Sequence, residues 1–151
     1  MRYVGIDPGK GGGLAALDDE GRVVWVAAMP ATERDLLDAL GELGEHRSAA
    51  VIEFVRASPQ MGVVSAWTFG VGYGGLRMAL TATHIPFDEV VPRKWQDAMR
   101  CRTGGDKNIS KRRAQELFPD VKKITHATAD ALLLAEYCRR VRTGESVRKV
   151  S

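Results

Sequence analysis

The sequence predicts an α/β fold, a mixed five-stranded sheet with helices on both faces. Three observations point there. Three short β-rich runs open the chain, separated by turn residues, and read as an antiparallel meander. Beyond residue 30, apolar runs of strand length alternate with stretches of helical periodicity. The chain closes on three helical stretches, the last one long and rich in Ala and Leu. Its 151 residues suffice for one domain, taken as residues 1–151.

Arg2 to Ile6 is the first strand, interrupted by Asp7-Pro8-Gly9-Lys10-Gly11-Gly12-Gly13. Leu14 to Leu17 is the second. Asp18-Asp19-Glu20-Gly21 marks a hairpin turn, and Arg22 to Ala28 is the third strand. Thr32, followed by Glu33 and Asp35, opens a helix with a capping oxygen and acids in the first turn. Leu36, Leu37, Leu40 and Leu43 recur at helical spacing, and Gly44 can stop the helix. Ala49 to Val55 reads as a buried strand with Glu53 as its acid. Val63 to Thr83 is helical and carries Gly70, Gly72, Gly74 and Gly75. Each glycine costs a helix about 1 kcal/mol, so these are expected to admit another backbone closely. Asp88 to Val91 is the fifth strand, ended by Pro92. Arg93 to Met99 is a short helix and Arg102 to Asn108 a polar loop. Ser110 to Leu117 is a basic helix closed by Phe118-Pro119, and Thr125 to Val141 is the final helix.

Hydrophobic residues at 44% and charged residues at 27% are the proportions of an ordinary globular chain. No apolar run approaches the roughly 18 residues of a membrane span. No charged start leads into a long apolar stretch, so no secretory leader is expected. Cys101 and Cys138 are too few for a disulfide scaffold and lack metal-ligand spacing. A reducing, cytoplasmic setting is the expectation. The net charge of +3 hides an asymmetry: residues 1–90 carry 7 basic and 12 acidic side chains, residues 91–151 carry 15 and 7. A basic half suggests a polyanionic partner, although a solvated basic face gives the same pattern. Arg139, Arg140, Arg142, Arg148 and Lys149 are read as a solvated tail.

Three acids occupy unusual positions. Asp7 directly follows a strand and precedes Pro8-Gly9, where it is either a turn former or a functional acid. Glu53 lies in an apolar strand, where a lone buried carboxylate is costly unless it faces outward or is paired. Asp130 is flanked by Ala129 and Ala131, and His126 precedes it by four residues on the same helix face. That face is either solvated or, lined with small residues, packed closely on the sheet. If Asp7 and Glu53 end neighbouring strands and the helix packs there, Asp7, Glu53, His126 and Asp130 converge. Carboxylates without Cys suit a hard ion, Mg2+ or Mn2+. Two such ions can clamp a phosphodiester. A rival reading makes residues 7–13 a phosphate-binding loop, but the Gly-Lys-Ser/Thr ending of a P-loop is missing and a strand follows.

Gly5-Ile6-Asp7-Pro8-Gly9, Val51-Ile52-Glu53 and Ala129-Asp130-Ala131-Leu132-Leu133-Leu134-Ala135 resemble the RuvC family of Holliday-junction resolvases. Phe69 to Gly74, Val91-Pro92-Arg93-Lys94-Trp95-Gln96 and Ser110 to Pro119 resemble its shorter bacteriophage branch. The resemblance spans nearly the whole chain in order. It implies a ribonuclease-H-like fold, and a homodimer that binds four-way DNA and nicks two opposing strands. It implies Asp7, Glu53, His126 and Asp130 as catalytic metal ligands for Mg2+, with Mn2+ as the alternative and two ions per site. His126 stands four residues before the last acid, the phage-like spacing, where cellular members place their residue three before. It also implies the cytoplasm of a bacterial or phage-infected cell.

Some positions depart from the family. Arg56 stands where cellular members carry a Phe that enters the junction centre, leaving Phe54, Trp67 or Phe69 to stack on bases. Gln96 replaces a family Lys, with Arg93 or Lys94 in compensation, and Lys107 matches another basic site residue. Arg56, Arg93, Lys94, Lys107, Lys111, Arg112 and Arg113 are the expected DNA-backbone contacts. The glycine-bearing helix is the expected dimer face, unless it packs on its own sheet. Two rivals stand beside the resolvase reading: a broader nuclease acting on branched DNA or flaps, and a catalytically inactive junction-binding protein. An ATPase fragment is disfavoured because that fold needs a second domain.

Overall fold

The computed structural model describes residues 1–145; Arg148 and Lys149 of the expected tail lie outside them. Five strands run β1 (Arg2–Asp7), β2 (Gly13–Leu17), β3 (Val23–Ala28), β4 (Ser48–Glu53) and β5 (Phe87–Val90). The five helices are α1 (Glu33–Gly44), α2 (Val63–Ala82), α3 (Pro92–Met99), α4 (Lys107–Leu117) and α5 (His126–Thr143). The sheet order is β3-β2-β1-β4-β5. β1 to β3 form the antiparallel meander, and β4 and β5 join in parallel. The mixed sheet expected from sequence is therefore present.

Period-two alternation sorts the strands into two cores. Val4, Ile6, Leu14, Ala16, Ala50 and Ile52 face α1 and α2. Tyr3, Ala15, Leu17, Ala49 and Val51 face the layer built by α3, α4 and α5. α5 is the hub of that second layer, and eleven of its residues are buried.

Two glycines let α5 lie directly on the sheet. A Cβ on Gly5 would overlap the Ala131 carbonyl and the Ala135 backbone nitrogen. A Cβ on Gly13 would overlap the Ala127 carbonyl. α5 answers with alanines at the crossing, so backbone meets backbone.

Several boundaries differ from the expectation. β4 ends at Glu53, not Val55. The strands beside it end before Pro8 and Pro92, and proline has no N–H with which to continue a ladder. α4 starts at Lys107, so Lys107 belongs to a helix rather than a loop. Its cap is Asp106, whose carboxylate accepts the Asn108 N–H at 2.9 Å. The α2 glycines were expected to admit another backbone; among the described residues nothing of this chain comes within 4 Å of a Cβ placed on Gly70, Gly72, Gly74 or Gly75. The buried residues of α2 are Leu76, Ala79 and Leu80, all in its second half.

Arg139, Arg140 and Arg142 are not a loose tail. Arg139 is buried and donates to Glu136 at 2.8 Å and Glu145 at 2.7 Å. Arg140 reaches Glu136 at 2.6 Å, and Arg142 reaches Asp88 at 2.9 Å. These pairs tie the end of α5 to itself and to β5.

Candidate active site

The sheet register brings the first two acids together. β1 and β4 are parallel with Ile6 opposite Ile52, so Asp7 and Glu53 stand side by side at the strand ends. Each continues the alternation of Tyr3 and of Ala49 and Val51, so both point toward the α3–α5 layer. Gly13 pairs with Asp7 and touches the first turn of α5, which places Asp130 over the same strand ends.

Electrostatics record the convergence. Burial, then the nearby Glu53 and Asp130 carboxylates, push Asp7 up to about 8, with Lys107 opposing. Burial also raises Glu53, opposed by the Trp95 hydrogen bond and Lys107, while Asp130 adds to the rise. Burial raises Asp130, opposed by Ser110, Lys107 and His126. Three acids thus share one poorly solvated space, with one exposed lysine answering all of them. His126, the first residue of α5, is exposed at the rim one turn before Asp130.

The arrangement has chemical slack. Asp130 Oδ1 is buried without a hydrogen-bond partner, which is costly for a carboxylate oxygen. Among the described residues no three His, Cys, Asp or Glu side chains stand close enough to hold a metal ion as they are. The donor set nonetheless fits a hard divalent cation: oxygen donors, mutual repulsion and an orphaned oxygen all call for positive charge. Drawing the carboxylates onto an ion requires them to come closer together than they stand.

The remaining basic candidates differ in exposure and partners. Arg93 and Lys94, in the first turn of α3, are exposed, as are Lys107 and Arg112 of α4; Lys111 is partly covered. Arg113 turns inward, donating to the Met99 carbonyl at 2.9 Å and to Glu116 at 3.0 Å. Arg56 lies over the Phe54 ring, 5.3 Å from its centroid. Phe54 and Phe69 both pack against Tyr73, at 6.2 and 6.1 Å between centroids, and Phe69 also touches Gly9. An aromatic wall therefore runs from Glu53 to the turn after Asp7.

Two contributors escaped the sequence reading. Trp95 is fully buried and donates its indole N–H to Glu53 Oε2 at 2.6 Å. Ser110, buried in α4, bears on Asp130. Trp95 had one signal, a large aromatic in a short eight-residue helix directly after a strand. Ser110 had none. A cleft of about 540 Å³ lies away from the acids, between the β1–β2 turn, the start of α1 and the glycines of α2. It holds no acid of the cluster, and it adjoins the uncovered face of α2.

Solved structures decide the fold. Thermus thermophilus RuvC in complex with a Holliday-junction substrate superposes with a TM-score of 0.71, covering 95% of this chain and 96% of that one, at 18% identity. The chain has the RuvC fold. A second structure of Thermus thermophilus RuvC matches with the same TM-score, 0.71, at 19% identity, covering 95% and 97% of the two chains. No family model matches the sequence, and no curated protein matches it either. Among the described residues no helix is long and apolar enough to cross a membrane. At this identity RuvC is a guide to architecture, so function has to be argued from this chain's own side chains.

Proposed function

We propose that this protein is a divalent-metal-dependent endonuclease that nicks branched DNA, with the four-way junction as its substrate. The observation that carries the reading is the convergence of Asp7, Glu53 and Asp130 at the strand ends of a RuvC fold. A protein that only binds DNA gains nothing from three half-buried carboxylates facing its phosphates. Asp7, Glu53 and Asp130 would hold Mg2+ or Mn2+, with His126 as a further ligand or proton carrier at the rim. A pair of such ions would supply Lewis-acid activation of water and charge neutralisation at the leaving oxygen.

The chain's own residues do the rest. Lys107 offsets the acids and steers the scissile phosphate toward them. Arg93, Lys94, Lys111 and Arg112 hold the flanking backbone without reading sequence. His126, exposed and one turn from Asp130, can carry a proton to the leaving oxygen or from water. The Phe54–Tyr73–Phe69 wall offers a stacking surface beside the cut. The four-residue spacing of His126 and Asp130 supports the bacteriophage branch of the family.

Paired nicking needs two active sites, and α2 offers the surface. Val64, Val71 and Met78 are seven apart, as are Trp67 and Gly74, the spacing of a helix-pairing seam. Val64, Trp67, Val71 and Met78 are all exposed, Trp67 at 74%. The chain would pair α2 with α2 of a second copy across this seam. Substituting Val71→Lys is then expected to convert a dimer to a monomer in sedimentation and to uncouple the two nicks. An unchanged dimer would exclude this face.

The decisive assay uses a four-way junction labelled on each arm, with flap and duplex controls, in Mg2+, Mn2+ or EDTA. Paired nicks on opposing strands, lost in EDTA, are expected. Equal cutting of flaps would favour the broader branched-DNA nuclease. Tight junction binding without nicks under either metal would leave a binding protein.

A further inference from the structure

Trp95 is the largest fully buried side chain of the fold, and its only polar atom points at the candidate active site. The placement follows from the strand register. β4 and β5 are parallel with Glu53 opposite Val90, and the Phe54 N–H donates to the Val90 carbonyl at 2.8 Å. Pro92 then starts α3 at once, its fixed φ suited to a first helical position. One turn on, Trp95 reaches back to the last residue of β4.

An indole N–H is a donor only and is normally paired when buried. Any backbone carbonyl would serve that need. Here the partner is a glutamate at 2.6 Å, a short charge-assisted bond, beside two other carboxylates that repel it. Glu53 has the longest and most mobile side chain of the three acids. Left free, it would swing toward water to escape Asp7 and Asp130. Trp95 holds Oε2 and leaves Oε1 without a hydrogen-bond partner among the described residues.

We propose that Trp95 is a positioning residue for Glu53, holding that carboxylate in the orientation that receives the metal ion. The assignment rests on the metal-dependent nuclease reading above. Trp95 touches neither DNA nor the ion; it acts through Glu53.

Trp95→Phe keeps most of the ring and deletes the N–H. It should fold, bind the junction in EDTA as tightly as the wild type, and need about tenfold more Mg2+ or more for half-maximal nicking and for metal binding by calorimetry. Excess Mg2+ should restore much of the rate. The wild-type protein also carries a direct reporter, the Trp95 indole N–H resonance, assigned by its loss in the variant. Mg2+ should displace it in the wild type but not in Glu53→Gln. Equal Mg2+ dependence of the variant and a metal-responsive wild type would overturn the positioning role and leave the nuclease reading intact. A wild type that neither binds Mg2+ nor nicks would overturn both. If Trp95→Phe fails to fold, Trp95 can be assigned through its contact with Glu53, and an indole resonance indifferent to Mg2+ would overturn the proposal by itself.

Discussion

Replacing Asp7 with Asn is expected to cut nicking by at least about a thousandfold while stabilising the metal-free protein at pH 8. The two effects share one cause. Asp7 is half-buried beside Glu53 and Asp130, and its carboxyl is pushed up to about 8. The folded protein therefore holds a proton that the unfolded chain, with an ordinary carboxyl, releases near pH 4. Between those values the native state binds more protons than the unfolded state, so stability falls as pH rises. Asn removes the charge that would appear there. A gain of about 1–3 kcal/mol over the metal-free wild type at pH 8, fading toward pH 5, is the expected result in urea unfolding. Mg2+ or Mn2+ should stabilise the wild type more at pH 8 than at pH 5, because the ion replaces the proton. An Asn variant less stable than the wild type at pH 8 would show that the acids are not repelling one another.

Gly5→Ala is expected to be the most damaging single methyl in the molecule. The added carbon would overlap backbone atoms of Ala131 and Ala135, and backbone in the middle of a buried helix has no rotamer to escape into. A loss of about 4 kcal/mol or more by denaturant unfolding follows, at the diagnostic extreme of single substitutions. Any folded remnant would carry α5 lifted from β1, and with it Asp130 from Asp7. Such a remnant should bind metal poorly. A loss below about 1 kcal/mol would mean that the helix crosses elsewhere.

Much of this architecture was legible in the sequence. The meander showed in its turns, α1 in Thr32 and its leucine stripe, and the acids in their apolar surroundings. The convergence of Asp7 with Glu53 required knowing that β1 and β4 are parallel neighbours in register, which no local pattern encodes. The start of α4 was misread because Asp106 was taken for loop polarity rather than a cap. The arginines of α5 looked solvated because their partners include Glu145 and Asp88, outside the helix. Trp95 was visible as a residue but not as a donor, since its partner lies 42 positions away. The glycines of α2 stood out as admitting another backbone, but helix propensity cannot tell a neighbour in the same chain from a second molecule.

The crossing of α5 over β1 also bears on timing. Asp130 comes from the last described helix, while Asp7 and Glu53 come from strands made much earlier. A nascent chain halted before residue 126 holds two of the three acids and lacks the helix on which the sheet closes. The three-acid cluster therefore cannot form before α5 has been made and docked. On the proposed function, a half-made molecule emerging from the ribosome would be harmless to DNA until that helix docks.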